Sequence, residues 1–310
     1  MNDLTLSRVS ELFDELEEES RIFISRVERI QTPICPLDFH REYVAPNRPV
    51  IIESLSEDWN ASSKWNLDYF RSVLGNDICQ ISVVPDGLAD AVVEGKFQLP
   101  EERKIKFSFF ADVIEGKTKP EDEGVYYLQR QNSCLTEDYP KLAKDVPNHV
   151  EFATKVFEFP SSPDAINIWV GGKSSVSSLH RDPYENIYTV IRGKKIFKLF
   201  PPTYRGKIVY KEFPVVRCYY NQSISKWERK TEKGIDSVRW IENGVDGVDA
   251  SPIIVEVKPG ETLYLPAGWF HQVYQEDITI AVNYWYDRAY DQRYVKERFI
   301  DQLAELLHET

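Results

Sequence analysis

The chain has 310 residues, 42% apolar and 13% aromatic, enough to bury a full core and too many for a disordered chain. Its 38 basic and 50 acidic residues leave a formal net charge of −12, which repels a polyphosphate backbone and suits a basic peptide or protein partner. No apolar run reaches the ~20 residues that cross a bilayer, and the acidic start MNDLTLSRVSELFDELEEES lacks the basic and apolar regions of a signal peptide. Cys35, Cys79, Cys134 and Cys218 form no C-x-x-C pair, so free thiols in a reducing compartment are expected. The expected placement is cytoplasmic and/or nuclear, with no membrane and no direct nucleic acid.

Along the chain, Leu6, Val9, Leu12, Phe13 and Leu16 recur at helical spacing. Prolines 33, 36, 46 and 49 then break the chain into extended pieces, ending in the strand-like PVIIESL. Residues 64–75 read as a short helix closed by Gly75, ICQISVVP as a strand, and FSFFADVIEG as a second short helix. After about residue 122 short alternating strands take over: VYYLQRQ, AINIWVGG, NIYTVIRG, KIFKLFPP, ETLYLPAG, WFHQVYQ and ITIAVNYWYD. Arg192-Gly193 and Pro259-Gly260 mark turns between them. A polar stretch at about 203–252 predicts an insertion on one rim. From Asp291 the pattern is helical again, with Val295, Phe299, Leu303 and Leu307 on one side. The reading is a mixed helical region over 1–121, a β core over 122–290 and a C-terminal helix over 291–310. Many short strands with Gly and Pro turns predict a sandwich or small barrel with flanking helices.

Of five histidines, three have an acid two residues later: His40/Glu42, His149/Glu151 and His180/Asp182. His40 and His149 lie in exposed-looking segments. His180 ends the small-residue stretch GGKSSVSSLH just before a strand, and on extended backbone it points to the same face as Asp182. His271 lies inside a later strand, whose alternation puts it with Trp269 and Val273. Two imidazoles and a carboxylate make the facial triad of non-haem Fe(II) oxygenases, with three positions left open. In KIFKLF, Lys195 shares its face with Phe197 and Leu199, where an unpaired ammonium is heavily penalised. Such a lysine suits the far carboxylate of a small dicarboxylate that chelates the metal.

The segments SSLHRDPYENIYTVIRGKKIFKLFPP and GETLYLPAGWFHQVYQ…IAVNYWYD resemble the core of the JmjC oxygenases, a double-stranded β-helix of cupin-like, jelly-roll type. PNRPVIIESLSEDW, KWNLDYFRSVLG, VPDGLADAV and AINIWVG extend the resemblance, toward the lysyl hydroxylases of that family, over nearly the whole chain. It implies Fe(II) held by His180, Asp182 and His271, with 2-oxoglutarate and O2 consumed. It implies that Lys195, Tyr127 and Ser177 bind the distal carboxylate of 2-oxoglutarate. Serine stands where the family has threonine; it keeps the hydroxyl and loses a methyl worth ~0.8 kcal/mol when buried. Asn186 and Asn283 match asparagines that contact the metal ligands or co-substrate, while Tyr188 and Trp285 would line the pocket.

The resemblance further implies C-3 hydroxylation of a lysyl residue in a protein, with translation-associated GTPases of the developmentally regulated GTP-binding class as targets. A lysyl substrate should meet at least one carboxylate or tyrosine at the pocket mouth, and Asp86, Asp90 and Glu185 are candidates. Histone-tail demethylation, peptidase action and a non-catalytic binding module of the same fold remain alternatives, although no H-E-x-x-H pair is present. The amphipathic end helices could pair two subunits into a homodimer.

Overall fold

The computed structural model describes residues 3–157, 162–242 and 244–308. In chain order, β1 (Glu28–Gln31) and β2 (Val50–Glu53) follow an N-terminal helix, Asp3–Phe23. Next come β3 (Ile78–Val84), the short β4 (Leu88–Ala89) and β5 (Ala91–Val93), then β6 (Lys96–Leu99) and β7 (Glu101–Lys106). The run continues with β8 (Val125–Leu128), β9 (Ala165–Gly171), β10 (Val176–Arg181), β11 (Tyr184–Arg192) and β12 (Lys195–Phe200). After β13 (Tyr210–Asn221), β14 (Lys226–Thr231) and β15 (Ser237–Ile241) come β16 (Ile253–Val257), β17 (Thr262–Leu265), β18 (Phe270–Gln275) and β19 (Thr279–Asp287). A helix, Gln292–His308, ends the chain.

Two sheets face each other. The larger has the order β1-β2-β17-β11-β19-β9-β8-β3-β7, the smaller β16-β12-β18-β10-β4. Between them lie Tyr127, Trp169, Tyr188, Val190, Leu263 and Ala281 from the first and Phe197, Leu199, Val255, Val257 and Val273 from the second. The outer face of the large sheet is also covered, by helices carrying Phe39, Phe70, Phe107 and Phe110, and by Trp65 between two of them, over Ile168, Ile187, Val282 and Tyr284. Burial on both faces explains why strands such as AINIWVG read as nearly continuous apolar runs. This is the cupin-like jelly roll that the sequence implies, mainly β with flanking helices. Four strands of the larger sheet, β1, β2, β3 and β7, come from before residue 122. Gly193, at φ +71°, makes the β11–β12 turn, where a Cβ would meet the Ile278 carbonyl oxygen at 2.5 Å.

The polar stretch after residue 203 is built rather than irregular. Its strand β13 pairs in parallel with β6 and antiparallel with β14 and β15, giving a third sheet at the rim. The last helix also differs from expectation, because Val295 and Phe299 are 54% and 65% exposed. Its inward face carries Ile300, Leu303, Ala304 and Leu307, which meet Val9, Phe13 and Leu16 of the first helix. The rotation follows from Asp301, which is buried so that it can meet Arg181 and Arg205. Of the four cysteines, all free, only Cys35 is exposed. No described helix is long and apolar enough to cross a membrane.

Candidate metal centre

Strands β10 and β18 are antiparallel neighbours, and their register sets His180 directly opposite His271. Asp182 follows β10, its carbonyl accepting from the Gly268 N–H at 3.0 Å. The pleat turns His180 and Asp182 to one side, as their spacing predicts. Asp182 Oδ2 lies 3.8 Å from His180 Nε2 and 3.7 Å from His271 Nε2. All three candidate ligand atoms lie within 4.8 Å of one another, the one such His/Cys/Asp/Glu group among the described residues.

The tautomers are set by the backbone. His180 Nδ1 meets the Ser178 carbonyl at 2.6 Å, and His271 Nδ1 meets the Trp269 carbonyl at 3.0 Å. A carbonyl only accepts, so each Nδ1 carries the proton and each Nε2 presents a lone pair toward Asp182. Burial, reinforced by His180, pushes His271 down to about 4 and keeps it neutral. The donor set therefore fits a divalent ion of the first transition row.

The pocket beside this group is lined by Tyr127, Ser177, Asn186, Tyr188, Asn283 and Trp285, together with His180, Asp182 and His271. Lys195 stands behind the wall, 2% exposed, its ammonium donating to the Tyr127 hydroxyl at 2.9 Å. Ser177 hydrogen-bonds the same Tyr127. No acid among the described residues pairs with Lys195, and burial alone pushes its ammonium down to about 7. The opposite wall is ordered: Trp169 Nε1 donates to Asn283 Oδ1 at 2.8 Å, and Asn283 Nδ2 donates to Asn186 Oδ1 at 3.1 Å. Trp285 stacks on Tyr184 at 4.9 Å, and its buried Nε1 has no acceptor among the described residues. An uncompensated ammonium and an orphaned N–H on one small pocket fit an oxygen-rich dianion.

A larger cavity of about 510 Å³ opens from the other side of His180. It brings in residues that sequence reasoning missed: Gln131 and Trp169 at the shared wall, Arg217 from β13 and Trp240 from β15. Trp240 stacks on His180 at 6.4 Å and 14°. Arg217 and Trp240 both come from the stretch that reads only as a polar insertion, and nothing local tells that it reaches the site.

Of the three acids expected at the mouth, Asp90 lines this cavity. Glu185 does not, because Asn186 and Tyr188 face the pocket and the pleat turns Glu185 to the opposite side. There, 3% exposed, it accepts from Tyr264 Oη at 2.8 Å and Ala267 N at 3.2 Å. Asp86 is also outside the cavity, held by Gln98 at 3.1 Å and by Arg229 at 3.4 Å.

Residues 36–292 match the family model of the cupin-like domain. The human protein named bifunctional peptidase and (3S)-lysyl hydroxylase JMJD7 is 38% identical over 89% of this chain and 88% of its own length. JmjC domain-containing protein E of Dictyostelium discoideum is 36% identical, covering 97% and 96%. Lysine-specific demethylase JMJ32 of Arabidopsis thaliana is 32% identical, covering 90% and 87%. With that breadth of match on a jelly roll whose neighbouring strands bring two histidines and an aspartate together, the chain belongs to the cupin-like JmjC family.

Proposed function

We propose that the chain is an Fe(II)- and 2-oxoglutarate-dependent protein hydroxylase acting at C-3 of a lysyl residue. The observation that carries this reading is the pairing of a His180–Asp182–His271 group with a buried, acid-free Lys195 that reaches the same pocket through the Tyr127 hydroxyl. The lysyl hydroxylase named among the relatives supports the choice of substrate. A protein presenting a lysine is the partner, with GTP-binding proteins the first targets to assay.

His180, Asp182 and His271 would hold the iron. When bound, iron with 2-oxoglutarate supplies the oxidising chemistry, consuming O2 and releasing succinate and CO2 as a hydroxyl is placed on the substrate. The chain's own work is placement. Lys195, Tyr127 and Ser177 would grip the far carboxylate, which restores the charge that burial suppresses on Lys195. Asn186 and Asn283 hold the wall that faces it, and Trp285 offers its free N–H. The aromatic rings of Tyr188 and Trp169 keep water out of the pocket.

The test is mass spectrometry of candidate substrate proteins after incubation with Fe(II), 2-oxoglutarate and ascorbate. A gain of one oxygen on a lysyl residue is expected. Formaldehyde release would replace the reading with demethylation, and metal-dependent cleavage with the peptidase named for the human relative. No consumption of 2-oxoglutarate under any condition would leave a binding module.

A further inference from the structure

We propose that Asp90 is the counter-ion for the substrate's cationic side chain, whose apolar stem runs past Trp240 and Trp169 toward His180; this rests on the oxygenase reading above. The charges in the cavity are lopsided. Arg217 is already taken by Glu232 through two bonds of 2.9 and 3.0 Å. Arg130 is taken by Asp138, at 2.8 and 2.7 Å. Both cations are thus neutralised by acids that do not line the cavity. The two acids that do line it, Asp90 and Glu102, have no ion-pair partner among the described residues. Asp90 has only a 3.5 Å approach from Gln129 Nε2, and Glu102, at the exposed edge, accepts from Ser82 Oγ at 2.8 Å and Gln80 Nε2 at 3.1 Å. A cavity of this kind admits a cation and disfavours an anion.

Asp90 is also tied to the metal group. Its backbone is left-handed, at φ +52°, a conformation that aspartate tolerates better than most residues. Its carbonyl accepts from Ser178 Oγ at 2.6 Å, and the Ser178 carbonyl in turn takes the His180 Nδ1 proton at 2.6 Å. Two hydrogen bonds and one residue therefore fix where the Asp90 backbone stands relative to His180. Burial, with Glu102 adding to it and His180 and Arg217 opposing it, pushes the Asp90 carboxyl up to about 6, so the nearby positive groups do not offset its desolvation. The walls between Asp90 and His180 suit an alkyl stem. Trp240 is braced by Phe97 at 4.8 Å and by His180, and Trp169 is fixed through Asn283. Aromatic faces accept both methylenes and a passing cation.

The experiment uses the full chain with Fe(II) and 2-oxoglutarate, and three pools of short synthetic peptides. The pools have random flanks and carry lysine, arginine or norleucine at the centre. Oxygen incorporation is read by mass spectrometry, and peptide binding by tryptophan fluorescence without oxygen. The wild type should favour lysine over norleucine at least about thirtyfold, carried by KM and by binding. Asp90→Asn, which keeps the tolerated backbone, should bring that preference to within about threefold, and Asp90→Glu should restore part of it. An Asp90→Asn protein that keeps the full preference for lysine, or a wild type that treats lysine and norleucine alike, would overturn the proposal. Preference for arginine would keep Asp90 as counter-ion and overturn the lysyl reading. Lysine-selective binding that Asp90→Asn abolishes, with no 2-oxoglutarate consumed in any pool, would overturn the oxygenase reading and leave the cation subsite standing.

Discussion

Arg181 Nη2 donates to Asp301 Oδ2 at 2.8 Å, tying the strand that bears His180 and Asp182 to the C-terminal helix. Arg181 lies between the two candidate ligands in sequence, so the pleat sends it to the opposite face. There it packs its guanidinium 5.0 Å from the Phe270 ring, and Arg205 approaches the other oxygen of Asp301 at 3.3 Å. Breaking one side of such a buried pair leaves the other charge stranded. Asp301→Leu should cost about 3 kcal/mol of stability, and the double variant Arg181→Met/Asp301→Leu less than the sum of the two single changes. Urea unfolding of the four proteins measures the coupling. Additive losses would show that the helix is held by its apolar face alone.

Turnover should depend on His180 and His271, and not on His40 or His149, which share the acid-two-later pattern with His180. His40 and His149 are exposed, and the His149 ring hydrogen-bonds its neighbour Asn148 at 2.7 Å. His180→Ala and His271→Ala should each reduce 2-oxoglutarate consumption to background and weaken binding of Mn(II), a stand-in ion followed by calorimetry. His40→Ala and His149→Ala should match the wild type in both assays. Full activity in His180→Ala would remove the metal assignment.

The affinity for 2-oxoglutarate should fall as pH rises. Burial lowers the Lys195 ammonium to about 7, so below that pH it carries charge in the free protein. Above it, an anionic co-substrate must bring a proton with it. The KM for 2-oxoglutarate should therefore climb by up to about tenfold per unit from about pH 7 upward. Lys195→Met should have a higher KM that no longer changes across this range. A wild-type profile that stays flat would place the ammonium away from the co-substrate.

Much of the site was legible because its logic is local. The two-residue spacing of His180 and Asp182, and the company Lys195 keeps with Phe197 and Leu199, are period-two patterns on single strands. Their meeting with His271 needed the jelly-roll topology, which the resemblance supplied. Glu185 was misplaced although the same parity was readable: once Asn186 and Tyr188 face inward, the acid between the turn and Asn186 must face out. Trp240 and Arg217 were beyond reach for a different reason. They arrive on a sheet that joins the site through the parallel pairing of β13 with β6, more than a hundred residues apart, and such contacts leave no periodic trace. The face of the last helix was misread because a buried acid, Asp301, outweighs two apolar residues in setting its rotation.

Gly171 offers a way to move Tyr127 without touching any proposed ligand. It ends β9 opposite Tyr127, and a Cβ there would lie 2.5 Å from Tyr127 Cδ2 and 2.8 Å from Gln275 Nε2. Neither neighbour can yield easily. The Tyr127 ring is buried between the sheets with its hydroxyl on Lys195, and Gln275 Nε2 donates to the Gly172 carbonyl at 2.6 Å. Gly171→Ala should therefore cost about 1–3 kcal/mol through overpacking. It should also shift the phenol off Lys195 and raise the KM for 2-oxoglutarate severalfold, with Mn(II) affinity kept because His180, Asp182 and His271 lie on other strands. Tyr127→Phe, which removes the hydroxyl and keeps the ring, should raise the KM without the stability loss. If Gly171→Ala loses stability while both KM values match the wild type, the Tyr127 hydroxyl takes no part in holding the co-substrate, and the grip falls to Lys195 and Ser177.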